Sequence, residues 1–113
     1  MVTEVQTHGL TLRGVSLGGI YTSLHVPELD SLFDVGWPLR SAATVRHLFL
    51  SHGHVDHAGG LSTLLGVRAL LRHPRPLRLF LPAEIAPLMT DALAAQARMP
   101  SSVDSPPAWS TCP

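Results

Sequence analysis

The stretch "FLSHGHVDHAGG", residues 49–60, sets three histidines and an aspartate within six positions, directly after an apolar run. Only 14% of the chain is charged, so this density of polar side chains asks for a chemical reason. Imidazole nitrogen is a good zinc ligand, and a carboxylate oxygen is an acceptable harder one. Along an extended loop, side chains at i and i+2 point the same way, so His52 and His54 can converge on one ion. Asp56 and His57 then project to another side of the turn and can hold a second. Two divalent ions about 3.5–4 Å apart pull the pKa of water between them toward about 7. That is a nucleophile for phosphodiesters, esters or amides. The plainer readings of the same residues are a histidine-rich surface loop and histidines that cap the next helix. Neither accounts for the spacing or for the apolar run in front of it.

Outward from the loop, "RHLFLS" (46–51) has the pattern of a buried central strand. After Gly59 and Gly60 the period changes to three and four residues through Leu61, Leu64, Leu65, Arg68, Leu71 and Arg72. This is a helix with one apolar stripe, ended by Pro74 and Pro76. Backbone amides at its start would favour an anion such as a substrate phosphate. "LRLFL" (77–81) is a further strand, and residues 83–99 are helical with Pro87 in the first turn. Upstream, 10–17, 20–26 and 31–36 form a meander broken by Gly18-Gly19 and Pro27. Residues 1–99 therefore make one α/β unit. The stretch 100–113, rich in proline and serine and without periodicity, is expected to be a disordered tail.

The chain has 113 residues and no net charge, so no global field draws it to nucleic acid or membrane. All eight basic residues are arginine. The single Cys112 cannot form an internal disulfide, and no run approaches the roughly 18 apolar residues of a membrane helix. Residues 1–20 do not read as a signal peptide. A cytoplasmic setting is the expectation.

"SHGHVDHAGGL" resembles the His-x-His-x-Asp-His signature of the metallo-β-lactamase superfamily, with its trailing Gly-Gly. "LFDVG" (32–36) is similar to that family's strand ending in Asp-x-Gly, and the likeness extends loosely over about residues 10–95. The resemblance implies the N-terminal half of an αββα sandwich: one mixed sheet with helices on one face. It implies two zinc ions, the first held by His52 and His54 and the second by Asp56 and His57. In the ribonuclease Z branch the motif aspartate is also a proton acceptor, a role that falls on Asp56. Asp34 would hold the metal loop from behind; the alternative for it is an ordinary aspartate at a strand end. "HPRPLRLFLPAEIAPLM" is similar to ribonuclease Z-like proteins, implying a phosphodiester or RNA substrate. Their Glu-Gly-Thr after Asp-x-Gly is replaced here by Trp37-Pro38-Leu39.

The family's site takes further ligands from loops downstream, and this chain offers few. His73 ends the helix that starts at the site, about 20 Å away along its axis. Asp91, Asp104 and Cys112 sit in no recognisable metal loop. The sheet face meant for the family's second half would be an exposed apolar patch. Hence the expectation of self-association, of a complementary chain, or of a truncated product. The alternative to a hydrolase is a non-catalytic fragment that binds metal weakly and acts only by pairing. Arg68, Arg72, Arg75 and Arg78 lie in an acid-free stretch and could touch RNA phosphates, but a solvated helix face with a basic turn is the preferred reading. His8, His25 and His47 show no ligand spacing, and Trp37 is expected to be at least partly buried.

Overall fold

Leu32, Leu48 and Leu79 stand side by side on three neighbouring strands, and all three are fully buried. They are the centre of the molecule, described here from a computed structural model for residues 2–99 and 109–112. Strands β1 (Thr3–Thr7), β2 (Leu10–Leu17), β3 (Tyr21–Val26), β4 (Ser31–Val35), β5 (His47–Phe49), β6 (Leu77–Phe80) and β7 (Trp109–Cys112) form one sheet in sequence order. The pairs from β1 to β4 are antiparallel and those from β4 to β7 are parallel. The sheet is therefore mixed, as the α/β reading requires.

The parallel half needs crossovers, and the helices supply them. α1 (Val55–Ala58) and α2 (Leu61–Leu70) fall between β5 and β6, and α3 (Ala86–Ala97) between β6 and β7. Leu61, Leu64 and Leu65 of α2 and Leu93 of α3 join Leu32, Leu48 and Leu79 in one core. This is the apolar stripe predicted for α2 as far as Arg68, and it covers one face of the sheet; Leu71 and Arg72, placed on the same stripe, lie beyond the end of α2 and are exposed. Burying each of these leucines is worth about 2 kcal/mol. On the opposite face Phe33, Phe49 and Phe80 form a row, with ring centroids 5.2 and 4.6 Å apart and nearly parallel planes. Phe33 is 37% exposed. This face lacks a covering layer among the described residues, so β5 is buried on one side rather than both.

Three elements differ from the sequence expectation. β1 reads "TEVQT" and is exposed throughout, so no apolar alternation announces it. It exists because His8 and Gly9, both with positive φ (51° and 78°), make a two-residue hairpin turn onto β2. The short α1 lies inside what looked like loop. Of the expected disordered tail, 100–108 and 113 lie outside the described residues, whereas Trp109–Cys112 pair with β6 as an edge strand.

Arg68 corrects the reading of a solvated basic face. It is 2% exposed, and its guanidinium points inward beneath the end of α2. Nη1 donates to the carbonyls of Ala43 (3.0 Å) and Val45 (2.6 Å), and Nη2 donates to that of Arg75 (3.0 Å). One side chain thereby ties α2 to the segments that enter β5 and β6. Burial pulls its pKa below the usual arginine range, and the nearby Asp30 opposes that shift. Arg72, Arg75 and Arg78 remain on the surface.

Replacing Arg68 by leucine takes the donor from the buried Ala43 and Val45 carbonyls. Urea unfolding should then show a loss of about 2–4 kcal/mol. Arg68→Lys should recover little of it, because a single ammonium cannot span the fork.

Candidate metal centre

The site is built at the ends of β4 and β5. Between β3 and β4 the register slips by one: Leu24 faces Phe33 while Ser23 faces Val35. Asp34 is the extra residue, with no strand partner and a left-handed backbone (φ 61°). A bulge of this kind re-aims a side chain that would otherwise follow the pleat. Asp34 is 8% exposed, and its carboxylate turns toward the chain leaving β5. There Asp34 Oδ1 accepts the Ser51 backbone N–H, and Oδ2 accepts the Ser51 hydroxyl, both at 2.8 Å. Oδ2 also accepts Nδ1–H of His57 at 2.8 Å. Of the two sequence readings of Asp34, the one that holds the loop is the one the geometry supports.

Two glycines let the loop come this close. α1 packs on β3 and β4. A Cβ on Gly36 would sit 1.9 Å from the Asp56 carbonyl oxygen, and one on Gly60 would sit 2.5 Å from that of Val35. Gly60 N–H donates to that same Val35 oxygen at 2.7 Å. The backbone of the motif thus lies directly on the end of β4, and any side chain at these positions would lift it off. His54 precedes α1 in extended conformation, and its carbonyl accepts the amides of His57 and Ala58.

His52, His54 and Asp56 each offer a ligand atom, and these atoms lie within 4.8 Å of one another. Among the described residues this is the only such cluster of three or more histidine, cysteine or acidic side chains. Donors around a tetrahedral zinc ion, each about 2.1 Å from it, stand about 3.4 Å apart. Small side-chain rotations would close the difference, so the donor set fits a divalent cation. The rings of His52 and His54 meet edge to face with centroids 4.7 Å apart, and that of His57 lies 4.2 Å from His52. His57 Nε2 is 3.3 Å from Asp56 Oδ2. Asp56 therefore stands between the two groups that the sequence assigned to separate ions: it clusters with His52 and His54, and touches His57.

The remaining candidates lie elsewhere. His73 is bonded to the Arg75 carbonyl at the far end of α2, and Asp91 is exposed on α3. Asp104 is outside the described residues. His25 is buried and bonded to Ser41 Oγ, with burial and then Arg13 lowering its pKa. Trp37, expected to be at least partly buried, is 51% exposed and leans on Tyr21 with ring centroids 5.2 Å apart. Its backbone is instead fixed by the buried Ser23, which both donates to the Trp37 carbonyl and accepts its N–H. Sequence reasoning missed Ser51. The available signal was only its place between the strand and the first histidine.

Comparison with known proteins agrees with this geometry. A family model described as the metallo-beta-lactamase superfamily matches residues 29–109. The chain is 36% identical over 81 residues to a chloroplastic tRNase Z (TRZ2) of Arabidopsis thaliana, covering 72% of this chain and 23% of that one. It is 35% identical over 86 residues to a nuclear ribonuclease Z of Triticum aestivum, covering 76% and 48%. Similarity to tRNase Z TRZ1 of Arabidopsis thaliana is 32% over 98 residues, covering 87% and 35%. The chain thus spans less than half the length of each of these relatives.

The close approach at Gly36 predicts an asymmetry between neighbouring glycines. Gly36→Ala should cost about 2–4 kcal/mol in urea unfolding, because backbone must move to admit the methyl group. Gly53→Ala, whose Cβ would meet only the Ile85 side chain at 3.6 Å, should stay within about 1 kcal/mol of the parent.

Proposed function

This chain belongs to the metallo-beta-lactamase superfamily, and on that premise we propose that it carries the zinc-binding half of a ribonuclease Z-like phosphodiesterase acting on RNA. The observation that supports this most is the convergence of His52, His54 and Asp56 behind a carboxylate that also holds His57. Three imidazoles and one carboxylate form a borderline donor set well matched to zinc. His52, His54 and His57 would bind through ring nitrogen, and Asp56 through one carboxylate oxygen.

A bound divalent cation supplies Lewis acidity, which makes water a usable nucleophile near neutral pH. The chain's own residues do the rest. Asp34 and Ser51 hold the loop in place, so the donors need little rearrangement. Asp56 keeps a second oxygen beside His57 and is the proton acceptor in this reading. The names of the relatives, tRNase Z and ribonuclease Z, support RNA as the substrate class. Trp37-Pro38-Leu39 follows Gly36, whose backbone meets that of Asp56, and the Trp37 ring is exposed. Arg72 and Arg75 stand beyond the other end of α2, a helix about 15 Å long, away from the loop.

A second reading rests on the open sheet face. Phe33, Phe49 and Phe80 present a flat aromatic row of the kind that monomers cover. In that reading the chain completes its fold by self-association or with a complementary chain, and carries no turnover alone. No helix among the described residues is long and apolar enough to cross a membrane. The cytoplasm is the compartment we propose, beside relatives named for the chloroplast and the nucleus.

The two readings separate in one experiment on the purified chain. The hydrolase should retain about one zinc ion or more per chain after dialysis and cleave bis-p-nitrophenyl phosphate. His54→Ala should remove both properties. A chain that holds no zinc and turns nothing over, yet runs as a dimer or larger species by light scattering, would favour the pairing reading instead.

A further inference from the structure

The hydrogen bonds behind the loop determine where two protons sit. Ser51 Oγ has a single proton, and it is donated to Asp34 Oδ2 at 2.8 Å. The same Oγ lies 2.8 Å from His52 Nδ1. With its proton committed to the carboxylate, the hydroxyl can only accept from that ring nitrogen. The His52 proton is therefore on Nδ1. His57 Nδ1 faces Asp34 Oδ2 at 2.8 Å and is likewise the protonated nitrogen. His52 is left with a free lone pair on Nε2, whereas His57 Nε2 faces Asp56 Oδ2 at 3.3 Å. The His54 ring has no hydrogen-bond partner among the described residues and is the exposed member of the cluster.

We propose that Ser51 is a positioning residue that extends the Asp34 carboxylate to a second imidazole, fixing the His52 tautomer with Nε2 open before any cation arrives. The chain of contacts is His52 Nδ1–H to Ser51 Oγ, Ser51 Oγ–H to Asp34 Oδ2, and His57 Nδ1–H to that same Oδ2. One buried carboxylate thus orients two of the three histidines. Asp34 reaches His57 directly, but only the hydroxyl of Ser51 bridges it to His52. The Ser51 backbone amide bonds Asp34 independently of the hydroxyl, so the loop keeps an anchor when the hydroxyl is removed. The value of this relay for metal binding rests on the reading of His52 and His57 as ligands. The tautomer assignment itself does not.

Long-range proton–nitrogen NMR of the metal-free chain in alkaline buffer tests the relay. His52 and His57 should both carry the proton on Nδ1, with His54 free to populate either form. In Ser51→Ala, His52 should lose its fixed tautomer and come to resemble His54, while His57 is unchanged. Ser51→Thr, which keeps the hydroxyl, should restore the parent pattern. A His52 protonated on Nε2 in the parent chain, or unaltered in Ser51→Ala, would overturn the proposal. A zinc titration of the same proteins should show affinity about 10–100-fold weaker for Ser51→Ala, and recovered by Ser51→Thr. If the NMR pattern holds and no variant binds zinc, the relay stands and the metal reading fails.

Discussion

A carboxylate at the end of one strand receives three hydrogen bonds from the chain that leaves the next strand in sequence, and most of the site depends on it. Asp34 can do this because the β3–β4 register slips beside it and its backbone adopts a left-handed turn. On a regular strand its side chain would follow the alternation of its neighbours. The bulge also lets Leu32, Asp34 and Val35 all be buried within five residues of strand, which a strict period of two forbids. A left-handed non-glycine residue costs on the order of 1 kcal/mol or more, and the three bonds to a buried carboxylate offset it. Such bonds, with one partner charged, run to about 1.5–3 kcal/mol each.

Around this contact the fold supplies rigidity by close packing. Leu32, Leu48 and Leu79 fix the relative height of β4, β5 and β6, so the ends of these strands arrive together. α2 covers that row, and Arg68 closes the opposite end by binding three carbonyls. Gly36 and Gly60 remove the side chains that would hold α1 away from β4. The histidine loop is thus set on backbone, with little left to the packing of its own side chains. A loop defended in this way is suited to keeping donor atoms near one another without a cation to draw them in.

Much of this arrangement was legible in the sequence because it follows simple periods. Strands β2 to β6, the stripe on α2 and the position of Pro87 near the start of α3 all follow from apolar spacing and proline placement. The His-x-His-x-Asp-His run and the strand ending in Asp-x-Gly pointed to the family that the comparisons show and to the candidate site. What was not legible has physical reasons. β1 carries no buried residue, so its pairing is decided by a turn rather than by hydrophobicity. Arg68 fits a helical stripe as well as a surface face, and only the carbonyls around it decide between them. Ser51 has the composition of any strand-end serine, and its importance comes from a carboxylate 17 residues away. Trp37 offered a large apolar ring to the core, but Ser23 holds its backbone where the ring stays at the rim.

The central claim is that the charge and the two acceptor oxygens of Asp34 preorganise the donors. Competitive zinc titration of Asp34→Asn addresses it directly, since asparagine keeps the shape but turns one acceptor into a donor facing the Ser51 hydroxyl and His57. The account predicts a fall in zinc affinity of about 10–100-fold in a protein that still unfolds cooperatively. Zinc bound as tightly by Asp34→Asn as by the parent chain would contradict it.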